Sequence, residues 1–211
     1  MGFTYHVSLN LTNKTCMVVG GGNVAQRKIN TLLEAGASVW IISPQISQKV
    51  QELVTAQKVN WIETELNFEL LKKCFLVIAA TNNRATNHEI ASFCHNNDIL
   101  VNVVDSLEES SFIVNSSFKQ GDLTIAVSTN GKSPALAYKI KRDLEKIYGP
   151  EYALFIEILA EAREIAKEKI QDEKSRSKFF REIVRMDIIE LIQKGNIKEA
   201  KERVKTCLLS Y

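Results

Sequence analysis

The stretch "TCMVVGGGNVAQRK" (15–28) constrains the fold more than any other part of the sequence, because three consecutive glycines separate an apolar run from a helix-forming segment. Gly20, Gly22 and Ala25 fit the spacing G-x-G-x-x-G/A. In such turns the first position permits the tight turn, the second lets a pyrophosphate approach the backbone, and the third needs a small side chain. The N–H groups that open the helix would face the phosphates. The stretch predicts a dinucleotide-binding turn; a glycine turn that serves packing alone is the alternative.

The first 105 residues alternate short β-rich runs with helical patterns. We predict strands at 15–20, 38–43, 59–64, 75–80 and 99–105, and helices near 24–35, 46–57 and 85–96. The segment "NFELLKK" adds one or two helical turns. Near-continuous Val/Ile runs joined by helices are typical of a parallel sheet covered on both faces. The pattern therefore predicts an α/β fold with a Rossmann-type doubly wound sheet. We expect its fifth strand to lie beside the first.

The pattern changes beyond residue 110. Two strand-like runs around "KQGD" predict an antiparallel hairpin within 111–129. Ser133 is a candidate N-cap and Pro134 a first helical residue for a helix that ends near residue 148. Further helices are predicted at 151–170, 177–193 and 197–209.

We accordingly predict three parts: an NAD-binding Rossmann domain (1–110), a dimerisation region (111–150) and a helical C-terminal domain (151–211). Apolar residues fall on both alternating sets of the hairpin, which is more than one exposed face should carry. This pattern predicts a homodimer formed through the central region.

The composition excludes several classes of protein. Net charge is only +2, so the electrostatic footprint of a nucleic-acid binder is missing. The apolar runs are too short to span a bilayer, and the N-terminus has no secretory-signal pattern. We therefore expect a cytoplasmic protein without a membrane or nucleic-acid partner. The four cysteines have no zinc-site spacing, so we expect no metal site, and Cys16 and Cys74 are expected to be buried free thiols.

The end of the second strand, "IISPQIS", lacks the acid that usually accepts hydrogen bonds from the ribose of NAD. It also has no Arg for the 2′-phosphate of NADP. We expect the ribose to be held by Ser43 or by the backbone at Pro44 and Gln45, and the sequence leans towards NAD.

Ligands of open α/β sheets bind beyond the carboxyl ends of the strands. That rule selects three further groups: Ala80, Thr81 and Asn82 after the fourth strand; Asp105 after the fifth; and Ser128, Thr129, Lys132 and Ser133 in "STNGKS". Asp105 can also be a turn or cap residue, and Ser133 a helix cap. His88 and His95 are predicted to be partly exposed helix residues.

Five stretches together resemble one family. "MVVGGGNVAQRK", "LLEAGASVWIISP", "FLVIAATNN", "VNVVDSLEESSFIVNS" and "LTIAVSTNGKSPALA" are similar to the stand-alone precorrin-2 dehydrogenases of siroheme synthesis. They resemble equally the first module of trifunctional siroheme synthases and the yeast dehydrogenase–ferrochelatase. The resemblance covers about residues 3–150, and beyond that point it is looser.

The resemblance implies oxidation of precorrin-2 to sirohydrochlorin with NAD as hydride acceptor, in a homodimer. It places cofactor contacts at Asn23, Val24, Pro44, Gln45, Ala80 and Thr81, and a catalytic aspartate at Asp105. Thr129 stands where some members have a modified serine.

The residues fit this expectation. Because the tetrapyrrole is a polyanion, Arg27, Lys28 and Lys132 are candidate partners for its carboxylates, together with Ser133. Loss of a hydride next to a conjugated system needs a base for the accompanying proton, and Asp105 is the candidate. Two alternatives stay open: an additional ferrochelatase activity, and a non-catalytic NAD-sensing regulatory module.

Overall fold

The computed structural model describes residues 4–211, so the first three residues of the predicted Rossmann domain lie outside the described part. The chain forms two compact units, one ending at Val114 and the other comprising Asn115–Tyr211. The hairpin thus belongs to the same unit as the C-terminal helices. The predicted dimerisation role of 111–150 stays a prediction.

The first unit alternates strands and helices as predicted. Its elements are β1 (Thr15–Val19), α1 (Asn23–Glu34), β2 (Ser38–Ile42), α2 (Gln48–Thr55), β3 (Asn60–Ile62), a short 3-10 helix (Phe68–Lys73), β4 (Leu76–Ala79), α3 (Arg84–Asn96) and β5 (Leu100–Val103). All pairings within this sheet are parallel. Apolar side chains are buried on both of its faces, and every residue of β4 is buried. The predicted doubly wound α/β fold is confirmed.

The strand order is β3-β2-β1-β4-β5. Our expectation that the fifth strand lies beside the first is wrong, because β4 pairs with β1 on one side and with β5 on the other. The carboxyl end of β5 still lies at the same edge of the sheet as that of β1, one strand further away.

Two serines cover the outer edge of β5. Ser111 Oγ accepts a hydrogen bond from the N–H of Val101 (2.8 Å), and Ser110 Oγ accepts one from Val103 (2.9 Å). The N–H of Ser111 donates to the carbonyl of Val101 at 2.8 Å. These bonds satisfy backbone groups that an edge strand otherwise exposes. Ser111 thus belongs to the edge of the sheet, and the hairpin predicted within 111–129 is formed by residues 116–127 of that range.

The second unit is a hairpin followed by helices. It contains β6 (Ser116–Gln120), β7 (Leu123–Val127), α4 (Pro134–Ile147), α5 (Glu151–Lys169), α6 (Glu173–Arg185), α7 (Ile188–Gln193) and α8 (Ile197–Leu208). The hairpin is antiparallel and turns at the predicted "KQGD". Ser133 is the N-cap of α4, since its Oγ accepts from the N–H of Leu136 at 3.3 Å, and Pro134 is the first helical residue.

Two details of this unit differ from the prediction. The single helix at 177–193 is wrong: α6 begins earlier, at a cap in which Asp172 Oδ2 accepts from the N–H of Ser175, and extended backbone at Met186 separates it from α7. The prediction that apolar residues occupy both alternating sets of the hairpin is also wrong. Its paired strands place Phe118 and Ile125 on one face, while Lys119 and Thr124 share the other.

The four cysteines are free and buried, as expected for Cys16 and Cys74. Burial raises the pKa of the Cys16, Cys74 and Cys94 thiols to about 11, which keeps them protonated at neutral pH. Within residues 4–211, no helix combines the length and apolar character needed to cross a bilayer. Across that same range, no three His, Cys, Asp or Glu side chains come together as a metal-binding group.

Candidate functional site

A cavity of about 590 Å³ lies beyond the carboxyl ends of β1, β2 and β4 in the first unit. Seven of the nine residues predicted to bind the cofactor line it: Gly20, Gly22, Ser43, Pro44, Gln45, Ala80 and Thr81. Asn23 and Val24 do not line it; they open α1 with exposed side chains. The remaining lining residues are Val19, Gly21, Ile42, Ile46, Ser47, Thr64, Glu65, Leu66, Asn82, Asn83 and Thr86.

The three glycines of the turn are needed for different reasons. Gly20 has φ +117°, and a Cβ there would overlap the carbonyl of Ala80. A Cβ on Gly21 would overlap the backbone carbonyl of Gln45. Gly22 has an ordinary φ of −82°, and a Cβ there would meet no protein atom within 4 Å. Gly20 and Gly21 therefore serve the fold, whereas at Gly22 the missing side chain leaves open space at the N-terminus of α1.

The end of β2 is fixed by its own hydrogen bonds. Ser43 is 8% exposed, and its hydroxyl donates to the carbonyl of Gln45 at 2.6 Å. The indole of Trp61 donates to the carbonyl of Ser43 at 2.9 Å, which ties β3 to the end of β2. Because the hydroxyl hydrogen of Ser43 is already used, its remaining capacity towards a ribose is that of an acceptor.

Asn87, on α3, holds the segment that follows β4. Its Oδ1 accepts from the N–H (3.2 Å) and the hydroxyl (2.7 Å) of Thr81, and its Nδ2 donates to the carbonyl of Thr81 at 3.1 Å. The side chain is 7% exposed. Asn87 could not be predicted from the sequence, because a polar residue inside a helical pattern gives no signal of a partner six residues earlier.

We expect Asn87→Ala to lower the stability by about 1–3 kcal/mol, since it leaves Thr81 backbone groups without partners in a largely buried position. Cofactor affinity should fall by roughly tenfold, because Thr81 lines the cavity. Thermal unfolding and NADH titration measure the two effects. Asn97→Ala is the matched control: Asn97 is exposed and makes one side-chain bond, to Phe93. Equal effects in both variants would contradict this role.

Asp105 follows β5 and lies outside the cavity lining. It is exposed and adopts φ +61°, a left-handed conformation that Asp and Asn tolerate better than most residues. The adjacent Val104 donates its N–H to the carbonyl of Ala79 at 3.0 Å, so the exits of β4 and β5 are joined. Ser110 Oγ donates to the carbonyl of Ser106 at 2.7 Å and closes the loop that carries the aspartate.

Lys28 extends from α1 towards β5. Its Nζ donates to Asn102 Oδ1 at 3.3 Å, and Asn102 is 8% exposed. Burial lowers the pKa of the Lys28 ammonium, the charge of Arg27 lowers it further, and the Asp105 carboxylate acts in the opposite direction. Lys28 is thus a half-buried cation within electrostatic reach of Asp105. Arg27, its neighbour on α1, is exposed.

Two histidines of α3 hold the same loop. His88 Nδ1 lies 2.6 Å from Glu109 Oε1, and His95 Nε2 lies 3.1 Å from the carbonyl of Glu109. Two hydrogen bonds hold the pKa of the Glu109 carboxyl below its usual range. The bond with His88 has the larger effect, and the bond with Ser106 adds to it. Both histidines are exposed helix residues, in line with the prediction, and both contact the loop after Asp105.

Lys132 and Ser133 belong to the second unit. Lys132 is exposed, and its N–H donates to the carbonyl of Thr129 at 3.0 Å. Thr129 Oγ1 accepts from the N–H of Ser133 at 3.1 Å. Ser133 therefore has a structural role as a cap, which was the alternative considered for it, and substrate binding by either residue stays a prediction.

The cavity suits a dinucleotide. The open space at Gly22 admits a pyrophosphate to the first N–H groups of α1, which form a ready anion site. Ser47 Oγ is a buried wall atom without a hydrogen-bond partner among residues 4–211. A bound ligand would satisfy such a group. Parallel sheet, glycine turn and cavity together define a dinucleotide-binding α/β protein.

The sequence pattern of a family described as putative NAD(P)-binding matches residues 7–116. Because this match covers more than half of the chain, the protein belongs to that family. A second pattern, described as the central part of a sirohaem biosynthesis protein, matches residues 120–147.

Known proteins resemble the chain beyond the first unit. The siroheme synthase of Photorhabdus laumondii is 32% identical over 94% of this chain and 42% of its own length. That of Psychromonas ingrahamii is 34% identical over 94% of this chain and 42% of its own length. The chain thus spans less than half the length of these relatives. The solved structure of SirC, a precorrin-2 dehydrogenase, matches 96% of this chain and 100% of its own, with a TM-score of 0.78 and 26% identity.

Proposed function

We propose that this protein oxidises precorrin-2 to sirohydrochlorin with NAD as the hydride acceptor, a step of siroheme biosynthesis. The observation that carries the proposal is the match with the precorrin-2 dehydrogenase SirC, which extends over that whole chain and nearly all of this one. The similarity to the N-terminal part of siroheme synthases supports the same step.

When bound, the nicotinamide accepts a hydride from the substrate carbon. The substrate then also loses one proton, so that two electrons and two hydrogens leave it in total. Asp105 is the proposed base that takes this proton. Its place at the exit of β5, joined to the exit of β4, supports a position beside the nicotinamide half of the cofactor.

The proposed contacts assign each part of the cofactor to the end of a different strand. Gly20 permits the tight turn, Gly22 lets the pyrophosphate reach the N-terminus of α1, and Asn23 and Val24 contribute the first N–H groups of the helix. Pro44 and Gln45 receive the adenosine ribose through their backbone, with Ser43 as an acceptor. Ala80 and Thr81 contact the nicotinamide side. These assignments rest on the strand order and on the cavity lining.

Arg27, Lys28 and Lys132, with Ser133, are proposed to attract the carboxylates of the tetrapyrrole, since cationic side chains attract a polyanion. Lys28 is the best supported of these, because it is half-buried and interacts electrostatically with Asp105. Its ammonium can bind a substrate carboxylate while remaining anchored to Asn102.

Absorbance of reduced cofactor tests the proposed function. The protein with NAD and precorrin-2 should produce NADH, and omission of precorrin-2 should abolish the signal. An NAD-sensing module would bind NAD and produce no NADH with the same substrate. Binding without turnover would therefore contradict the enzyme and favour the sensor.

We also propose a homodimer formed through 111–150. The hairpin has one apolar face, so the support comes from α4: Leu136, Ile140 and Ile147 recur on one side of the helix and are 48%, 36% and 62% exposed. A row of exposed apolar side chains is typical of a protein–protein contact.

Sedimentation at micromolar concentration should give a dimer, and Ile140→Glu should convert it to a monomer because a charge would be buried in the contact. Tyr138→Glu is the control, since Tyr138 is 58% exposed on the opposite side of α4. A monomeric parent protein would contradict the proposal.

We further propose that the protein lies in the cytoplasm. Its buried free cysteines support a reducing compartment.

A further inference from the structure

The end of β2 lacks the acidic residue that usually accepts hydrogen bonds from the adenosine ribose, yet a carboxylate stands next to it in space. Glu65 lines the cavity together with Thr64 and Leu66, on the loop that follows β3. Since β3 is the neighbour of β2 in the sheet, this loop lies on the adenosine side.

Hydrogen bonds join the end of β3 to the end of β2. Trp61, in β3, donates its indole N–H to the carbonyl of Ser43, and the N–H of Ser43 donates to the carbonyl of Ile62 at 3.4 Å. These bonds hold the end of β3, from which the loop with Glu65 extends, beside the end of β2.

The wall of the cavity carries a single acidic side chain and no basic one among the described residues. Of the described residues that line it, Glu65 is the only one with an ionisable side chain, and no Lys or Arg is among them. No hydrogen bond or ion pair to the Glu65 carboxylate occurs within residues 4–211, so it is available to a ligand. A pyrophosphate in the cavity would therefore meet no cationic side chain in the wall.

We propose that the Glu65 carboxylate binds the adenosine ribose hydroxyls of NAD and excludes the 2′-phosphate of NADP. A carboxylate accepts hydrogen bonds from two neighbouring hydroxyls, and such charge-assisted bonds are stronger than neutral ones. The 2′-phosphate replaces one of these donors with an acceptor that carries negative charge. It would lie beside a like charge, with no cation in the wall to offset the repulsion.

This inference rests on the proposed NAD site and is independent of the tetrapyrrole substrate. It assigns to β3 a role that dinucleotide-binding sheets usually give to the end of β2. It also gives a physical reason for a preference for NAD in a chain whose second strand ends in Ser43-Pro44-Gln45.

The test uses the full chain and measures binding of NADH and NADPH by calorimetry at low ionic strength, without tetrapyrrole. The parent protein should bind NADH at least tenfold more tightly than NADPH. Glu65→Lys should reduce this preference by tenfold or more, because it replaces repulsion by attraction. Glu65→Gln should narrow it by a smaller factor, because it removes the charge but keeps the shape.

Glu63→Lys is the matched control, since Glu63 is exposed, precedes Glu65 by two residues and lies outside the cavity wall. It should leave the preference unchanged. Equal affinity of the parent protein for both nucleotides would overturn the inference, as would an unchanged preference in Glu65→Lys or an equal shift in Glu63→Lys. If the parent protein bound neither nucleotide, that result would instead contradict the proposed NAD site itself.

Discussion

Gly22→Val should lower the affinity for NAD by at least about 100-fold while the protein remains folded. A Cβ at this position would meet no protein atom within 4 Å, and the backbone has an ordinary φ, so we expect the fold to tolerate the substitution. The branched side chain would occupy the space through which the pyrophosphate reaches the N-terminus of α1. A loss of 100-fold corresponds to about 2.7 kcal/mol, which is reasonable for the removal of several phosphate contacts.

Titration with NADH and a thermal unfolding curve measure the two parts of this prediction. Gly20→Val is the informative contrast, because a Cβ at Gly20 would overlap the carbonyl of Ala80 and φ is +117°. That variant should be strongly destabilised, whereas Gly22→Val should melt near the parent protein. Normal NADH binding by Gly22→Val would show that the cofactor does not approach this turn.

Asp105→Asn should lower turnover of precorrin-2 by about 10²–10⁴, the usual worth of a positioned general base. Asparagine tolerates the left-handed conformation at φ +61° as well as aspartate does, so the loop should keep its shape. NAD affinity should change little, because Asp105 lies outside the cavity wall.

Initial rates of NADH formation at saturating NAD measure this effect. Full activity in Asp105→Asn would identify the aspartate as a turn residue, and His88, which contacts the following loop through Glu109, would be the next candidate base. Iron insertion into sirohydrochlorin, measured on the same two proteins, would show whether a second activity exists and uses this carboxylate.

Much of the first unit could be predicted because its signals are local. The run "TCMVVGGG" combines a buried strand with a turn that tolerates no side chains, and the Val/Ile runs that follow lack the alternation of a one-sided sheet. Each strand was found within two residues at either end. The cap at Ser133 was equally local, since it needs only a hydroxyl three residues before a free N–H.

The errors concern interactions between different elements or loops, which the pattern within one segment does not show. The order of β4 and β5 depends on pairing between whole strands, which periodicity does not encode. Asn87 and Ser110 look like ordinary polar residues until the backbone groups they satisfy are brought beside them. The break at Met186 interrupts a pattern with continuous helical spacing. Asp187, at the start of α7, forms an ion pair with Arg203 of α8, and residue spacing within one segment does not indicate this contact.

Glu65 illustrates the same limit at the candidate site. The end of β2 carries no acid, so the sequence alone assigns the ribose only to Ser43 or to the backbone at Pro44 and Gln45. The carboxylate comes instead from the neighbouring strand, and only the parallel pairing of β2 with β3 brings the two loops together.

The most direct test of the central claim is the stoichiometry of a single incubation of the protein with precorrin-2 and excess NAD. We predict one NADH and one sirohydrochlorin for each precorrin-2 consumed, measured by absorbance of the reduced cofactor and of the tetrapyrrole product in the same sample. Gly22→Val should form neither. Formation of sirohydrochlorin at the same rate with and without NAD, or binding of NAD with no NADH formed, would contradict the account.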